Sequence, residues 1–181
     1  MLWLKKLFSH SSMNARNPAE EADLELLAPV SGTVLSLDDV PDPVICERIA
    51  GDGCAFIPEG NTIKAPCDGM LVRLLPSNTA FCIKSKLGPE IYVRFGIGTD
   101  YFSGEGFEAV KKTGDEVKAG DDIITFDLSQ AAPAFMTTAT SMIALKSSAA
   151  IARVTVSSGK ALAGQTGCMW IFLKKDEAKA D

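Results

Sequence analysis

An arginine stands inside an apolar run, EIYVRFGIGT, at residues 90–99. Arginine is rarely buried without a partner. Arg94 therefore either brings its head to the surface or faces a site that uses a guanidinium, whose planar fork recognises phosphate and carboxylate. Other residues able to do chemistry are few. The one histidine is His10, and the five cysteines are Cys46, Cys54, Cys67, Cys82 and Cys168. Their number is odd, no CxxC occurs, and His10 is remote from them, so the usual zinc ligand set is missing and no metal or cofactor is expected. Cys54 and Cys82 lie in apolar runs, where a thiol behaves as a small hydrophobe. They read as reduced core residues of a cytoplasmic protein.

Composition narrows the class. The chain has 181 residues, 46% of them hydrophobic and 23% charged, as expected of one globular domain with a substantial core. A net charge of -5 argues against a general nucleic-acid binder, which needs a basic patch. No apolar run is long enough to cross a bilayer as a helix.

From Leu24 onward the sequence consists of short β segments separated by glycine and proline, including LELLAPVSGTVLSL, GDGCAFIP, TIKAPCDGMLVRLL, TAFCIKS, EIYVRFGI, DEVKAGDDIITFDL, ARVTVSSGK and CMWIFLKK. Many short strands with frequent turns predict an all-β antiparallel sandwich or barrel. Helical text is sparse: Phe107 to Thr113, and part of 129–137. APVSGTV and APCDGML form an internal echo. It is open to two readings, related halves of one fold or ordinary Pro and Gly turn chemistry. The segments around Lys86-Leu87-Gly88-Pro89 read as a hairpin. A symmetric register centred there sets Thr79 opposite Arg94 and Phe81 opposite Tyr92, each pair on one face. Cys82 then faces away from Thr79.

The segments LLAPVSGTVLSLDDVPDPV, ERIAGDGCAFIPEGN, KAPCDGML, SNTAFCI, YVRFGIGT and GEGFEAVKKTGDEVKAGDDIITFDL closely resemble, in order and spacing, the glucose-type IIA component of the bacterial phosphoenolpyruvate:sugar phosphotransferase system. The resemblance covers residues 24–175. It implies a β-sandwich of the glucose-permease IIA type with a shallow site on one face. It also implies relay chemistry: a histidine takes a phosphoryl group from a small phosphocarrier protein and passes it to a cysteine of a IIB domain. A companion imidazole stabilises the phosphoryl oxygens, as a positioned donor does.

Here the residue before Phe-Gly-Ile, where the resemblance implies the acceptor histidine, is Arg94. The companion position is Thr79, the position of a usual carboxylate is Gly98, and the hydroxyl before the Asn is kept as Ser77. Arginine stays protonated and is not a usable nucleophile near neutrality. Thr79 has no neighbouring imidazole to act as its base. No catalytic residue is therefore expected. The expected role is protein binding and regulation in sugar transport, with the phosphocarrier protein, a IIB domain or a permease as partners by resemblance. Two alternatives stand beside it: an active carrier with a non-histidine acceptor such as Cys82, and an anion site at Arg94 and Thr79. GDEVKAGD also resembles a biotinyl-type carrier hairpin, but Lys118 has Val117 and Ala119 beside it instead of methionines. The docking face implied by the resemblance comprises Asp42, Val44, Ile45, Leu75, Tyr92 and Arg94, with Asp100 and Tyr101 nearby. Leu75 reads as the more core-like of these and Ile45 as an exposed contact.

Residues 1–10, MLWLKKLFSH, differ from the rest. On a helix Leu4 stacks with Leu7 and Phe8, and Trp3 with Leu7, while Lys5 and Lys6 project elsewhere. That composition suits an amphipathic helix on an anionic membrane surface, at the inner face of the membrane. Residues 11–23 read as a flexible linker and 176–181 as a polar tail. Two lysines add on the order of 1 kcal/mol each near an anionic surface. Deleting residues 1–10 is therefore expected to weaken co-sedimentation with anionic liposomes at least about tenfold.

Overall fold

The structure is a computed structural model that describes residues 17–98 and 102–175. The amphipathic segment at 1–10, the tail at 176–181, and Asp100 and Tyr101 lie outside the described residues. The strands are β1 (Leu24–Leu27), β2 (Gly32–Leu35), β3 (Gly51–Pro58), β4 (Thr62–Lys64), β5 (Gly69–Leu74), β6 (Ala80–Ser85), β7 (Glu90–Arg94), β8 (Phe107–Ala109), β9 (Glu116–Val117), β10 (Asp122–Phe126), β11 (Thr140–Leu145), β12 (Ile151–Val156), β13 (Gly159–Ala161) and β14 (Gly167–Leu173). Among the described residues three single-turn α-helices accompany them: α1 (Pro18–Glu21), α2 (Pro43–Cys46) and α3 (Leu128–Ala131). Among the described residues no helix is long and apolar enough to cross a membrane.

Antiparallel pairing builds one eight-stranded sheet, ordered β13-β2-β3-β11-β7-β6-β5-β9, and two three-stranded sheets, β1-β14-β12 and β4-β10-β8. The sheets stack as a sandwich and do not close into a barrel. Alternation along β7 sets one face on the core. Ile91 and Val93 turn inward and are fully buried, while Tyr92 and Arg94 turn outward and are half-buried, the period-2 pattern of a strand with one face on the core. Phe95 continues the inward set. Its ring lies 5.0 Å from Phe107, 4.8 Å from Phe126 and 5.2 Å from Phe135, edge-on or tilted as aromatic quadrupoles prefer.

Two helical expectations meet different outcomes. Phe107–Ala109 is a strand, not the start of a helix over 107–113, because pairing with β10 turns Phe107 into the core. Residues 128–134 do form a helical turn and a 3-10 turn, with Asp127 capping the first through the Ser129 and Gln130 N–H groups. In the segment read as a linker, Asn17 caps the turn of α1, and the Asp23 N–H donates to the Ile171 carbonyl at 3.0 Å.

The internal echo is structural. The Leu27 N–H donates to the Pro66 carbonyl (2.9 Å), and the Lys64 N–H to that of Pro29 (2.7 Å). Likewise the Gly164 N–H meets the Ala28 carbonyl and the Gly120 N–H the Ala65 carbonyl, both at 2.8 Å. Each Ala-Pro turn thus uses the same bonds against the other half, and each opens a strand at its glycine, β2 at Gly32 and β5 at Gly69.

A second, smaller core lies on the outer face of the large sheet, where Leu37, Val40 and Ile45 cover Ala55, Ile97 and Ile143. Arg48, itself in a left-handed conformation (φ 53°), ties this covering segment down. Its guanidinium bonds Asp38 at 2.6 Å and Asp52 at 2.9 Å.

Gly96 has φ +70°, and a Cβ there would stand 2.4 Å from the Phe135 ring. Gly96→Ala is expected to cost more than about 2 kcal/mol in urea unfolding, because the left-handed backbone alone costs roughly 1–2 kcal/mol for alanine and the ring must also shift. Gly114 has φ +96° with nothing within 4 Å of a Cβ, so Gly114→Ala should cost only the backbone share.

Candidate functional site

The hairpin register differs by one residue from the symmetric expectation. Ala80 pairs with Arg94, Phe81 with Val93 and Cys82 with Tyr92. Five residues separate Lys84 from Glu90, and the loop closes through Ser85 N–H to Pro89 C=O (2.9 Å) and Gly88 N–H to Ser85 C=O (3.1 Å). A shift of one moves every side chain to the other face. Thr79 is thus not opposite Arg94. It lies one step before β6, and its carbonyl accepts the Phe95 N–H at 2.8 Å. Its side chain is buried at 2% exposure, with the hydroxyl 2.8 Å from that of Ser77. Cys82, expected to face away from Thr79, pairs with Tyr92 and so shares the outer face with Tyr92 and Arg94.

Arg94 ends β7 between two small residues, Ala80 on one side and Ser141 on the other. Its guanidinium meets the Asp42 carboxylate at 3.9 Å, with side-chain exposures of 23% and 18%. Asp42 has a second task. Its Oδ1 accepts the N–H groups of Val44 (2.9 Å) and Ile45 (3.3 Å), capping α2, while Pro43 occupies the first helical position, where its missing N–H costs nothing. Asp42 and Arg94, fifty-two positions apart in the sequence, thus meet across the edge of the small core.

One helical turn sorts the next two residues. Val44 projects outward, 51% exposed, whereas Ile45 turns into the small core at 4%. Ile45 is therefore a core residue and not the exposed contact expected, since consecutive helical residues point about 100° apart. Leu75 is half-buried and bonded through its N–H to the Ala80 carbonyl (2.9 Å). Gly98 is exposed with φ +84°.

Two neighbours were not legible in the sequence. Met136 is 73% exposed, and its N–H donates to the Ile97 carbonyl at 2.9 Å, which sets it beside Gly98. Ser141 is buried at 1% exposure, and its hydroxyl has no hydrogen-bond partner. The sequence signal for Met136 was a methionine between Phe135 and the Thr137-Thr138 pair; for Ser141, a serine opening an apolar run.

Electrostatics around the site disfavour a thiolate. Burial pushes the Cys82 thiol up to about 11, Glu90 adds to the rise, and Arg73 opposes it. Burial also raises the Tyr92 phenol, against the pull of Arg94 and Arg73. Cys67 is pushed up to about 12 by burial. The Lys118 ammonium bonds Asp68 at 3.0 Å, an exposed turn contact. Among the described residues no three His, Cys, Asp or Glu side chains gather as a metal site would require.

A family profile described as phosphoenolpyruvate-dependent sugar phosphotransferase system, EIIA 1, matches residues 24–150. The chain is 47% identical over 107 residues to a glucose-specific EIIA component of Borreliella burgdorferi, covering 59% of this chain and 57% of that protein. Against the same-named component of Bacillus cereus identity is 37% over 149 residues, 82% of this chain and 90% of that one. The chain thus spans less than two thirds of the Borreliella protein and most of the Bacillus one. Among solved structures, the glucose permease IIA from Mycoplasma capricolum superposes with a TM-score of 0.74 at 34% identity, covering 81% of this chain and 94% of that chain.

The raised thiols predict a pH dependence. Their folded-state values, about 11 and 12, lie above the ordinary 9.0, so the folded protein holds protons that the unfolded chain releases. The stability this contributes is complete below pH 9 and is lost as pH rises toward 11–12. The thermal midpoint should fall from pH 8 to 11, and the fall should be shallower in the Cys67→Ala/Cys82→Ala double variant. Cys46, half-buried, should be alkylated before Cys82 at pH 8.

Proposed function

The chain belongs to the EIIA 1 family of the phosphoenolpyruvate-dependent sugar phosphotransferase system, and from that premise we propose that it is a IIA-type component of sugar transport and its regulation that docks its partners without accepting phosphate. The observation that carries the reading is the absence of any imidazole between residues 24 and 175, the only histidine of the chain being His10. At the position where the family resemblance implies the acceptor stands Arg94, and at the companion position Thr79.

Neither replacement supports relay chemistry. A phosphoimidazole forms and breaks readily because a neutral ring nitrogen is both nucleophile and leaving group. The guanidinium keeps its proton at neutral pH and has no lone pair to offer. The Thr79 hydroxyl is buried and bonded to Ser77, without a base. Cys82 as a substitute acceptor is opposed by its 5% exposure and its raised pKa, since the thiolate is the nucleophile.

Docking retains physical support. Val44, two residues after the Asp42 that meets Arg94, and Met136, beside Gly98, are exposed apolar side chains, with Asp42 at the rim and Tyr92 on the same strand face as Arg94. An apolar patch with a charged rim is the anatomy of a protein–protein contact. The partners by family are the phosphocarrier protein and a IIB domain or permease. The protein would meet them in the cytoplasm or at the inner membrane face, where residues 1–10 provide reversible attachment. Arg94 paired with Asp42 keeps this face at constant charge, whereas a phosphorylatable histidine alternates between neutral and strongly negative. The component would then engage partners regardless of the phosphoryl flux through the system.

Incubation with the general relay enzymes and labelled phosphoenolpyruvate should leave the protein unlabelled. Stoichiometric label would overturn the reading. Arg94→His together with Thr79→His should regain labelling if the docking face is intact.

A further inference from the structure

The small sheet β1-β14-β12 has a face that the two cores do not use. Met169 and Ile171 of β14 point inward with no exposure, so strand alternation turns Trp170 and Phe172 to the outer face. Both are half-buried, and among the described residues neither is packed on either hydrophobic core. An antiparallel sheet ordinarily sets polar residues on its open face. Here a tryptophan and a phenylalanine stand two positions apart on one strand. Both rings are also held in place. The Trp170 Nε1–H donates to the Glu25 carboxylate at 3.2 Å, and the Arg153 guanidinium carbon lies 3.8 Å from the Phe172 ring centroid. Side chains fixed beforehand lose little freedom when something packs on them.

We infer that the occupant of this face is the chain's own segment of residues 1–10, which lays Trp3, Leu4, Leu7 and Phe8 against Trp170 and Phe172 and must leave them to enter a membrane. The membrane attachment proposed above bears only on the second half of that statement.

Three observations favour this occupant over a separate molecule. The first is where the chain enters. The described residues begin at Asn17, with α1 packed beside β14. Just after α1, the Asp23 N–H donates to the Ile171 carbonyl (3.0 Å) and the Asp23 carboxylate accepts the Leu173 N–H (2.7 Å), so the chain is pinned to β14 on both sides of Phe172. The second is reach. Residues 11–16 span up to roughly 20 Å when extended, and a helix over residues 1–10 would be about 15 Å long. Trp170 lies only about 10 Å along the strand from Leu173, and the three strands are about 10 Å across. So short a tether makes docking intramolecular, at an effective concentration in the millimolar range. The third is charge. Glu20 and Glu25, both exposed, give the entry to this face an acidic rim that suits Lys5 and Lys6.

The chain has two tryptophans, Trp3 and Trp170, so Trp170→Phe and Trp170→Glu each leave Trp3 as the sole reporter in the full chain. Acrylamide quenching of Trp3 is read without lipid, against the same variant unfolded in urea. Trp170→Phe keeps the face apolar and should protect Trp3. Trp170→Glu should return the quenching toward the unfolded value. Thr155→Arg in the Trp170→Phe background, paired with position 170 on the same face, should do the same. The segment freed in Trp170→Glu should bind vesicles of phosphatidylcholine and phosphatidylglycerol about tenfold tighter than in Trp170→Phe, the reciprocal of a free fraction near a tenth, although the added negative charge by itself disfavours an anionic surface. Trp3 as quenchable in folded Trp170→Phe as in the unfolded chain would overturn the inference. Protection that declines as the protein is diluted would assign the face to a second copy and overturn it too, as would protection that survives both Trp170→Glu and Thr155→Arg. Equal vesicle binding by the two Trp170 variants would overturn the competition. Absence of vesicle binding in both would remove the membrane attachment, with the protection of Trp3 still deciding the docking.

Discussion

The burial of Phe95 is the constraint on which the site depends. Its ring has no exposure and packs against Phe107, Phe126 and Phe135, from β8, β10 and the segment after α3. Removing such a ring costs roughly 3–5 kcal/mol, a large share of the stability of a typical domain. With Phe95 fixed inward, strand alternation leaves Arg94 no choice but the outer face. Gly96 follows in a left-handed conformation that brings the backbone against Phe135 and turns the chain toward Gly98 and Met136. The direction of Arg94 is thus decided by the core residue next to it.

The outer face is where this sandwich departs from a plain layered β fold. The segment of residues 37–46 closes a small second core over β3 and β11, and Arg48 clamps that segment through Asp38 and Asp52. Asp42 links the two systems. One carboxylate oxygen caps the start of α2 and the other faces Arg94. The start of the turn that exposes Val44 and buries Ile45 and the ion pair at Arg94 thus share a single side chain.

An imidazole and a guanidinium differ less in shape than in what protons allow. Histidine titrates near neutrality, so it can be a nucleophile, a leaving group and a donor in turn. Arginine is only ever a donor and a cation. At this position an arginine lacks the lone pair on which transfer through a histidine depends. The tertiary environment changes little in that argument, because the chemistry resides in the residue type.

Composition and short-range pattern determined the all-β class, the turns at the two Ala-Pro motifs, the buried cysteines and the identity of Arg94 as an outlier within its strand. These depend on local quantities: alternation, glycine and proline chemistry, and the charge of one side chain. The tertiary structure decided the rest. The register of β6 against β7 hinged on the five residues between the paired Lys84 and Glu90, and with a period of two a count off by one carried Thr79 away from Arg94 and brought Cys82 onto the face of Arg94. Whether Ile45 or Val44 meets solvent turned on where Asp42 starts a single helical turn. The Asp42–Arg94 pair, with α2 and four strands lying between Asp42 and the strand that carries Arg94, exists only because the small core folds one segment over another. Contacts of that separation are set by packing and leave no periodicity in the sequence to read.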